Sequence, residues 1–171
     1  MTTNAEQYDY DVIIVGEGMV GASLAASLND SPCRVLLIDK SFPTDTNFTV
    51  HDPKLRVSSV NLGAIRWLKQ QGVWQQLDSA RLRNYHTLSA LESGGGQITF
   101  SAKHLNEEKL GCFVENEHLQ LAALKASNAD TLECELQTIT VNQQYCHVVT
   151  QDGKNLKSRF IIGADGGNSF V

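Results

Sequence analysis

The hydrophobic positions near the start of the chain predict a strand, a helix and a second strand in close succession. DVIIV, Asp11 to Val15, is a short β-branched run of the kind that is buried on both faces of a parallel sheet. Residues 19 to 29, MVGASLAASLN, favour a helix, and RVLLID, Arg34 to Asp39, is a second buried strand. Because such crossovers are right-handed, we expect the two strands to be parallel.

The next part of the chain has helical periodicity. After a polar, proline-containing loop from Phe42 to Lys54, a helical pattern starts at Ser58 and stops at Gly72. A short second helix is predicted over Trp74 to Ala80. Further on, Glu115 to Ser127 has the apolar spacing of a longer helix.

Strand patterns dominate the remainder. The runs YHTLSAL and QITFSA flank glycines 94 to 96 and predict a hairpin or an edge pair. Asp152-Gly153 predicts a type I′ hairpin turn, in which both central residues have positive φ. Three consecutive β segments are expected around it: Leu132 to Val141, Tyr145 to Thr150 and Leu156 to Ile162.

Composition fits one globular domain and narrows the ligands. The chain has 171 residues, of which 42% are hydrophobic and 19% are charged. Its 14 basic and 19 acidic residues give a net charge of −5 without a basic patch, so we expect no nucleic-acid partner. No apolar run approaches the roughly 20 residues that span a bilayer. Residues 1 to 10 do not resemble a signal peptide, so we expect a cytoplasmic chain.

Cysteines and histidines show no metal-binding pattern. The four cysteines include no C-x-x-C pair, and the five histidines lack metal-ligand spacing. We therefore predict neither a metal site nor a disulfide framework. No side chain is assigned a catalytic role.

The clearest chemical signal is the glycine pattern after the first strand. Gly16, Gly18 and Gly21 have the G-x-G-x-x-G spacing, which allows a tight turn, close approach of backbone N–H groups to a pyrophosphate, and close helix packing. Asp39 ends the second strand, where a carboxylate can accept both ribose hydroxyls and would repel a 2′-phosphate. We expect FAD or NAD as the ligand. The alternative is an ordinary glycine-rich turn followed by a strand-end acid.

The far end of the chain favours FAD. RFIIGADGGNS, Arg159 to Ser169, is a buried strand that runs into a G-A-D-G turn. With the N-terminal glycines, it resembles the flavin-dependent aromatic hydroxylases of the p-hydroxybenzoate hydroxylase type, and among them the ubiquinone-biosynthesis hydroxylases. Two further stretches, Asp52 to Trp74 and Leu110 to Leu124, resemble that subgroup. The first of these looks most like the hydroxylase that acts on the methoxy-methyl-benzoquinol intermediate.

The resemblance implies a set of cofactor-binding residues. The glycine loop, including Met19, would hold the FAD pyrophosphate, and Asp39 would bind the adenosine ribose, where many relatives have Glu. Arg56 would approach the pyrophosphate, although it is also typical of a solvated loop. Asn116 would contact the cofactor or cap a helix, and Asp165 would lie near the pyrophosphate or belong to a plain turn. The full set is Gly16, Gly18, Met19, Gly21, Asp39, Lys40, Arg56, Asn116 and Asp165.

The resemblance also implies an activity and a fold. NAD(P)H would reduce the flavin, and dioxygen would supply the oxygen transferred to a polyprenylated phenol or quinol ring. The expected fold is α/β: a Rossmann-like FAD/NAD(P)-binding domain over residues 1–171 with a parallel sheet, a β-meander and part of a second antiparallel sheet. About residues 82–114 would contribute to the substrate-side sheet.

Family members are about twice as long as this chain. We therefore expect residues 1–171 to be the N-terminal part of a longer monooxygenase and to be inactive alone. Its prenylated substrate implies that the full-length protein visits the inner membrane as a peripheral protein or joins a ubiquinone-biosynthesis complex. Two alternatives stay open: a non-catalytic fragment that binds FAD or ADP, and a flavoprotein reductase.

Overall fold

The computed structural model describes residues 8–43, 54–167 and 169–171. In chain order, the strands are β1 (Tyr10–Val15), β2 (Val35–Asp39), β3 (Val57–Asn61), β4 (Arg83–Tyr85), β5 (Thr87–Leu91), β6 (Gln97–Ser101), β7 (Gly111–Glu115), β8 (Asp130–Glu133), β9 (Leu136–Val141), β10 (Cys146–Thr150) and β11 (Asn155–Gly163). The helices are α1 (Met19–Ser27), α2 (Leu62–Gln70) and α3 (Asn116–Ala126). Most of the predicted loop from Phe42 to Lys54 lies outside the described residues, as does Asn168.

The main sheet has six strands in the order β8-β2-β1-β11-β10-β9. Strands β8, β2, β1 and β11 run parallel to one another, whereas β10 is antiparallel to both β11 and β9, so that β9, β10 and β11 form a meander. The predicted parallel crossover from β1 through α1 to β2 and the predicted meander are therefore both confirmed. The α/β class and its Rossmann-like organisation are confirmed with them.

The first strand is buried on both faces, as its continuous apolar run predicts. Ile14 packs on one side in a cluster with Ala25 of α1, and Ile13 packs on the other side in a cluster with Val148 of β10. Both isoleucines have no exposed surface. Burying such a side chain contributes roughly 1.5–3 kcal/mol, so residues on both faces of β1 stabilise the sheet.

A third core lies among the helices. Ala22 and Ala26 of α1 pack with Leu119 and Ala122 of α3, because small side chains on both helices allow a close approach. Strand β7 pairs with β3 and β4 in a separate three-stranded sheet and leads directly into α3. This arrangement brings the start of α3 next to the start of α1. No helix in the described ranges is long and apolar enough to cross a bilayer.

Two predicted helices are wrong in part. Residues Ser58 to Asn61 belong to β3, because β7 offers that segment an antiparallel partner, and α2 begins only at Leu62. Asn61 caps the helix by accepting a hydrogen bond from the Ala64 N–H at 2.9 Å. The predicted helix over Trp74 to Ala80 is instead two 3-10 turns. The helix stop at Gly72, where φ is 73°, and the hairpin formed by β5 and β6 agree with the predictions.

Two strand predictions also need correction. The segment from Leu132 to Val141 is not one strand but two, since β8 pairs with β2 at one edge of the sheet and β9 pairs with β10 at the other. The hairpin at Asp152-Gly153 is present, but only Gly153 has positive φ, at 85°, so the turn is not type I′.

Candidate functional site

The glycine loop connects β1 to α1 at the carboxyl edge of the parallel strands. Gly16 has φ of 105°, a left-handed conformation that favours glycine, and its N–H donates to the Ile38 carbonyl at 2.8 Å. Helix α1 then begins at Met19, and its capping position is Gly18, which offers no side-chain cap. The first N–H groups of α1 are thus available to an anion, which the helix dipole also favours.

The three glycines have different reasons to lack a side chain. A Cβ on Gly16 would lie 2.4 Å from the carbonyl carbon of Ala164, and one on Gly21 would lie 1.9 Å from the Gly16 oxygen. A Cβ on Gly18 would meet nothing within 4 Å. The fold itself therefore requires Gly16 and Gly21, whereas the space beside Gly18 is free for a ligand to approach the backbone. This geometry fits the pyrophosphate of a dinucleotide.

Asp39 faces the glycine loop from the end of β2. Its Oδ2 accepts a hydrogen bond from the Glu17 N–H at 2.9 Å, and its Oδ1 accepts one from the Lys40 N–H at 2.6 Å. Each carboxylate oxygen has a second lone pair, so ribose hydroxyls can still donate to it. The acid predicted to bind ribose therefore lies beside the loop predicted to bind phosphate.

The C-terminal G-A-D-G segment meets the same loop. Strand β11 pairs in parallel with β1 so that Gly163 lies opposite Val15, and the Ala164 N–H donates to the Val15 carbonyl at 2.7 Å. Asp165 follows and accepts hydrogen bonds from the Ser169 hydroxyl at 2.5 Å and from the Phe170 N–H at 2.6 Å. Burial acts to raise the pKa of Asp165, but these two bonds outweigh it and the pKa is lowered. Asp165 is therefore an ionised, locally ordered side chain.

A cleft of about 490 Å³ lies between these elements. Four of the predicted residues line it: Gly16, Asp39, Lys40 and Asp165. The sequence did not predict the other seven residues that line it: Val15, Ile38, Cys134, Glu135, Leu136, Gln151 and Phe170. The chain passes from β8 to β9 at this point, and the Cys134 N–H donates to the Asp39 carbonyl at 2.8 Å. A visible strand break between residues 133 and 136 would have indicated that this segment lines the cleft, but the apolar pattern continues through the break.

Arg56 and Asn116 lie together at a second location, at the start of α3. The Asn116 N–H donates to the Arg56 carbonyl at 2.9 Å, and the Ser58 hydroxyl donates to Asn116 Oδ1 at 2.7 Å. Asn116 is the first residue of α3, whose capping position is Glu115, so the alternative of a helix cap is wrong. Arg56 is exposed. Both residues thus lie at the start of α3, and neither lines the cleft at Asp39.

Glu17 connects the two locations. It lies between Gly16 and Gly18, is only 8% exposed, and its side chain is hydrogen bonded to Gln120, one turn into α3 from Asn116. Burial raises the pKa of Glu17; the Gln120 hydrogen bond lowers it and repulsion from Asp39 raises it, with a net increase. Sequence reasoning did not select Glu17, because the variable position of the glycine pattern carries no signal of its own.

A buried ion pair supports the Arg56 segment. Arg81 and Glu115 are joined at 2.6 Å with side-chain exposures of 3% and 7%, and Glu115 Oε1 also accepts from the Lys54 N–H at 2.6 Å. The hydrogen bond from Arg81 is the main reason that the pKa of Glu115 is lowered. The Glu115 carboxylate therefore anchors the backbone of Lys54, two residues before Arg56. Glu115 itself directly precedes Asn116.

Comparison with known proteins identifies the family. Residues 9–171 match the family model described as an FAD binding domain, and the chain belongs to that family. It is 31% identical over 166 residues to 3-demethoxyubiquinol 3-hydroxylase from Escherichia coli (strain K12), a match that covers 94% of this chain and 42% of that protein. It is 27% identical over 189 residues to the mitochondrial ubiquinone biosynthesis monooxygenase COQ6 from Danio rerio, covering 99% of this chain and 39% of that one.

Solved structures agree on the fold. The chain aligns with PqsL from P. aeruginosa in complex with 2-aminobenzoylacetate at a TM-score of 0.73 and 22% identity, covering 95% of this chain and 44% of PqsL. It aligns with p-nitrophenol 4-monooxygenase PnpA from Pseudomonas putida DLL-E4 at a TM-score of 0.72 and 15% identity, covering 94% and 42%. The chain thus spans about two-fifths of the length of the curated relatives above.

Proposed function

We propose that this chain is the FAD-binding part of an aromatic-ring monooxygenase of ubiquinone biosynthesis that uses NAD(P)H and dioxygen. Its substrate would be a polyprenylated phenol or quinol. The observation that carries the proposal is the direct contact between the glycine loop and the Ala164 segment, which encloses a cleft beside Asp39. The similarity to 3-demethoxyubiquinol 3-hydroxylase supports the substrate class.

The residues of the chain suit the parts of FAD. The N–H groups at the start of α1 would bind the pyrophosphate next to Gly18, and the Asp39 carboxylate would accept the ribose hydroxyls of the adenosine. Lys40, on the wall of the same cleft, would lie at the adenosine. Arg56 would add charge-assisted hydrogen bonds from the side of α3, and Asn116 would add a polar contact there.

Bound FAD would supply the redox chemistry with dioxygen, and the protein would hold, orient and shield it. Asp165 is ionised and is held by hydrogen bonds from Ser169 and Phe170. It would place a negative charge near the pyrophosphate and would influence how the protein uses NAD(P)H. Met19 would contribute its backbone, because its side chain packs against the helical core.

Residues 82–114 suit the proposed substrate side. In the hairpin of β5 and β6, Leu88 lies opposite Phe100 and Ala90 opposite Ile98, so one face is apolar. Leu88, Ile98 and Phe100 are 51%, 62% and 54% exposed. This face would join a larger sheet that covers an apolar, prenylated substrate. Access to such a substrate would bring the full-length protein to a membrane surface or into a biosynthetic complex.

A second candidate function is non-catalytic binding of FAD or ADP. The short coverage of the curated relatives favours it for the 171-residue chain taken alone. The two functions differ in one observation, namely whether NADH or NADPH bleaches the yellow colour of the chain loaded with FAD. Bleaching supports the monooxygenase proposal, whereas colour that persists supports binding without turnover.

The test of cofactor binding is a titration of the purified chain with FAD and with ADP, followed by flavin fluorescence and thermal unfolding. A ligand at a hundred times its Kd adds about 2.7 kcal/mol to the free energy of unfolding. We expect a rise in Tm of matching size with FAD. An unchanged Tm and unquenched flavin fluorescence at saturating FAD would rule out the proposed function.

A further inference from the structure

A buried acid lies inside the loop that is proposed to bind a dianionic pyrophosphate. Glu17 occupies the position between Gly16 and Gly18, is only 8% exposed, and its Oε2 has no hydrogen-bond partner in the described part of the chain. Most buried carboxylates are paired with a cation or accept several hydrogen bonds. Glu17 therefore departs from the usual state of a buried carboxylate at a point where the ligand would bring more negative charge.

Within the part of the chain that the structure describes, the groups that act on Glu17 include no positively charged side chain. The Asp39 carboxylate faces it from the end of β2 and disfavours its charged form, while Gln120 faces it from α3 with an uncharged amide. From the third neighbouring element, β11, the backbone of Ala164 packs on Gly16, and Asp165, the next residue, adds a second acid nearby. Among the described residues, the favourable field comes from the start of α1, and the pyrophosphate would use the same field.

The Gln120 amide can bind either form of Glu17. Its N–H₂ group donates to a carboxylate, and its carbonyl oxygen accepts from the O–H of a neutral acid. Adding a proton to Glu17 therefore keeps the link between the glycine loop and α3 and removes a charge. The raised pKa agrees with this preference for the neutral acid.

We propose that Glu17 is a positioning residue of the cofactor site that must carry a proton when FAD is bound, so that FAD binding takes up a proton. The inference rests on the proposed binding of FAD beside Gly18. In its neutral form, Glu17 bridges the glycine loop to α3, where Arg56 and Asn116 lie, without repelling the pyrophosphate. In its charged form, it opposes the pyrophosphate within the same loop. Linkage is reciprocal, so FAD must raise the proton affinity of Glu17 by the factor by which the proton raises the affinity for FAD.

The first test compares FAD affinity from pH 5.5 to pH 8 in the wild-type chain, Glu17→Gln and the control Glu92→Gln, which alters an exposed acid in the β5–β6 hairpin. Glutamine keeps the shape of the neutral acid. We expect the Kd of the wild type and of Glu92→Gln to rise about tenfold over this range, as a tenfold coupling requires. Glu17→Gln should bind FAD with nearly constant affinity and more tightly than the wild type at pH 8. Identical pH profiles for all three proteins would overturn the proposal.

The second test measures proton uptake directly and needs no enzymatic activity. Calorimetric titration of the wild type with FAD near pH 7, repeated in buffers of different ionisation enthalpy, counts the protons taken up on binding. We expect net uptake in the wild type, and its loss in Glu17→Gln confirms the source. Binding without uptake would overturn the inference but leave the proposed function intact, whereas no binding to either protein at any pH would overturn both.

Discussion

The Arg81 guanidinium donates from Nε and Nη2 to the two carboxylate oxygens of Glu115, at 2.7 and 2.6 Å, inside the protein. This pair joins the 3-10 turn at Ser79–Arg81 to the junction of β7 and α3. The same carboxylate holds the backbone of Lys54, two residues before Arg56. Arg56 is the cation that is proposed to bind the pyrophosphate. The position of its backbone thus depends on an ion pair that does not itself line the cleft.

Removing one partner of this pair should destabilise the protein strongly. Arg81→Met leaves a buried, uncompensated carboxylate, for which we expect a loss of about 3–5 kcal/mol in the free energy of unfolding. Arg83→Met removes an exposed arginine two residues away and should cost less than about 0.5 kcal/mol. Urea denaturation of both variants measures the difference. Equal losses would show that the buried pair does not anchor this region.

The ion pair also predicts a pH dependence of stability. Because the hydrogen bond from Arg81 lowers the pKa of Glu115 below its ordinary value of 4.5, the folded state binds this proton less readily than the unfolded state. The stabilisation is therefore present above about pH 4.5 and is lost as the pH falls through the lowered pKa. Thermal unfolding from pH 3 to pH 7 should show a steeper acid loss in the wild type than in Arg81→Met. Parallel curves would contradict this assignment.

Local patterns were sufficient for the first half of the site. The apolar run of β1, the small residues of α1 and the apolar run of β2 predict a crossover, and the glycine spacing with Asp39 predicts what lies at its edge. These are interactions between residues close in sequence, where chain geometry leaves few alternatives. The meeting of Gly16 with Ala164 is of another kind, since it depends on pairing between β1 and β11 across almost the whole chain. It was expected through family resemblance.

The remaining errors come from pairing partners that are distant in sequence. Ser58 to Asn61 looks helical but forms a strand because β7 is available beside it. The break after Glu133 is invisible in the apolar pattern, because β8 and β9 are both partly buried, although they lie at opposite edges of the sheet. The burial of Glu17 depends on α3, more than a hundred residues later in the chain. Residues whose environment is set by such contacts could not be selected from local patterns.

The glycine loop offers a matched pair of substitutions. Gly18→Val adds a side chain to open space, so we expect the fold to persist while FAD binding is abolished, because the side chain blocks the approach of the pyrophosphate. Gly21→Val forces atoms into the Gly16 carbonyl and should cost about 1–3 kcal/mol or more of stability. Circular dichroism melting and FAD titration separate the effects. A Gly18→Val chain that binds FAD normally would remove Gly18 from the site.

Replacing Asp39 tests the ribose contact. Asp39→Ala removes the acceptor of the ribose hydroxyls and the hydrogen bond from the Glu17 N–H, so we expect FAD binding to weaken by about 1–3 kcal/mol. Asp30→Ala removes an exposed acid beyond the end of α1 and should leave the Kd unchanged. Isothermal titration of both variants with FAD and with ADP gives the comparison. If the two variants have equal Kd values, the ribose does not bind at Asp39.

Arg56 is the remaining cation that the proposal assigns to the pyrophosphate. Its side chain is exposed, while its carbonyl accepts the Asn116 N–H, so the backbone is fixed and the guanidinium can reach a ligand beside α3. Arg56→Gln should weaken FAD binding by about 1.5–3 kcal/mol, the range for a hydrogen bond to a charged group. Arg66→Gln serves as the control. It alters another exposed arginine, which belongs to α2 and is paired with Glu107. Fluorescence titration at low and high salt should show a loss for Arg56→Gln that shrinks as salt rises, because screening weakens the charge contact. A Kd equal to that of Arg66→Gln would mean that Arg56 is only a solvated loop residue.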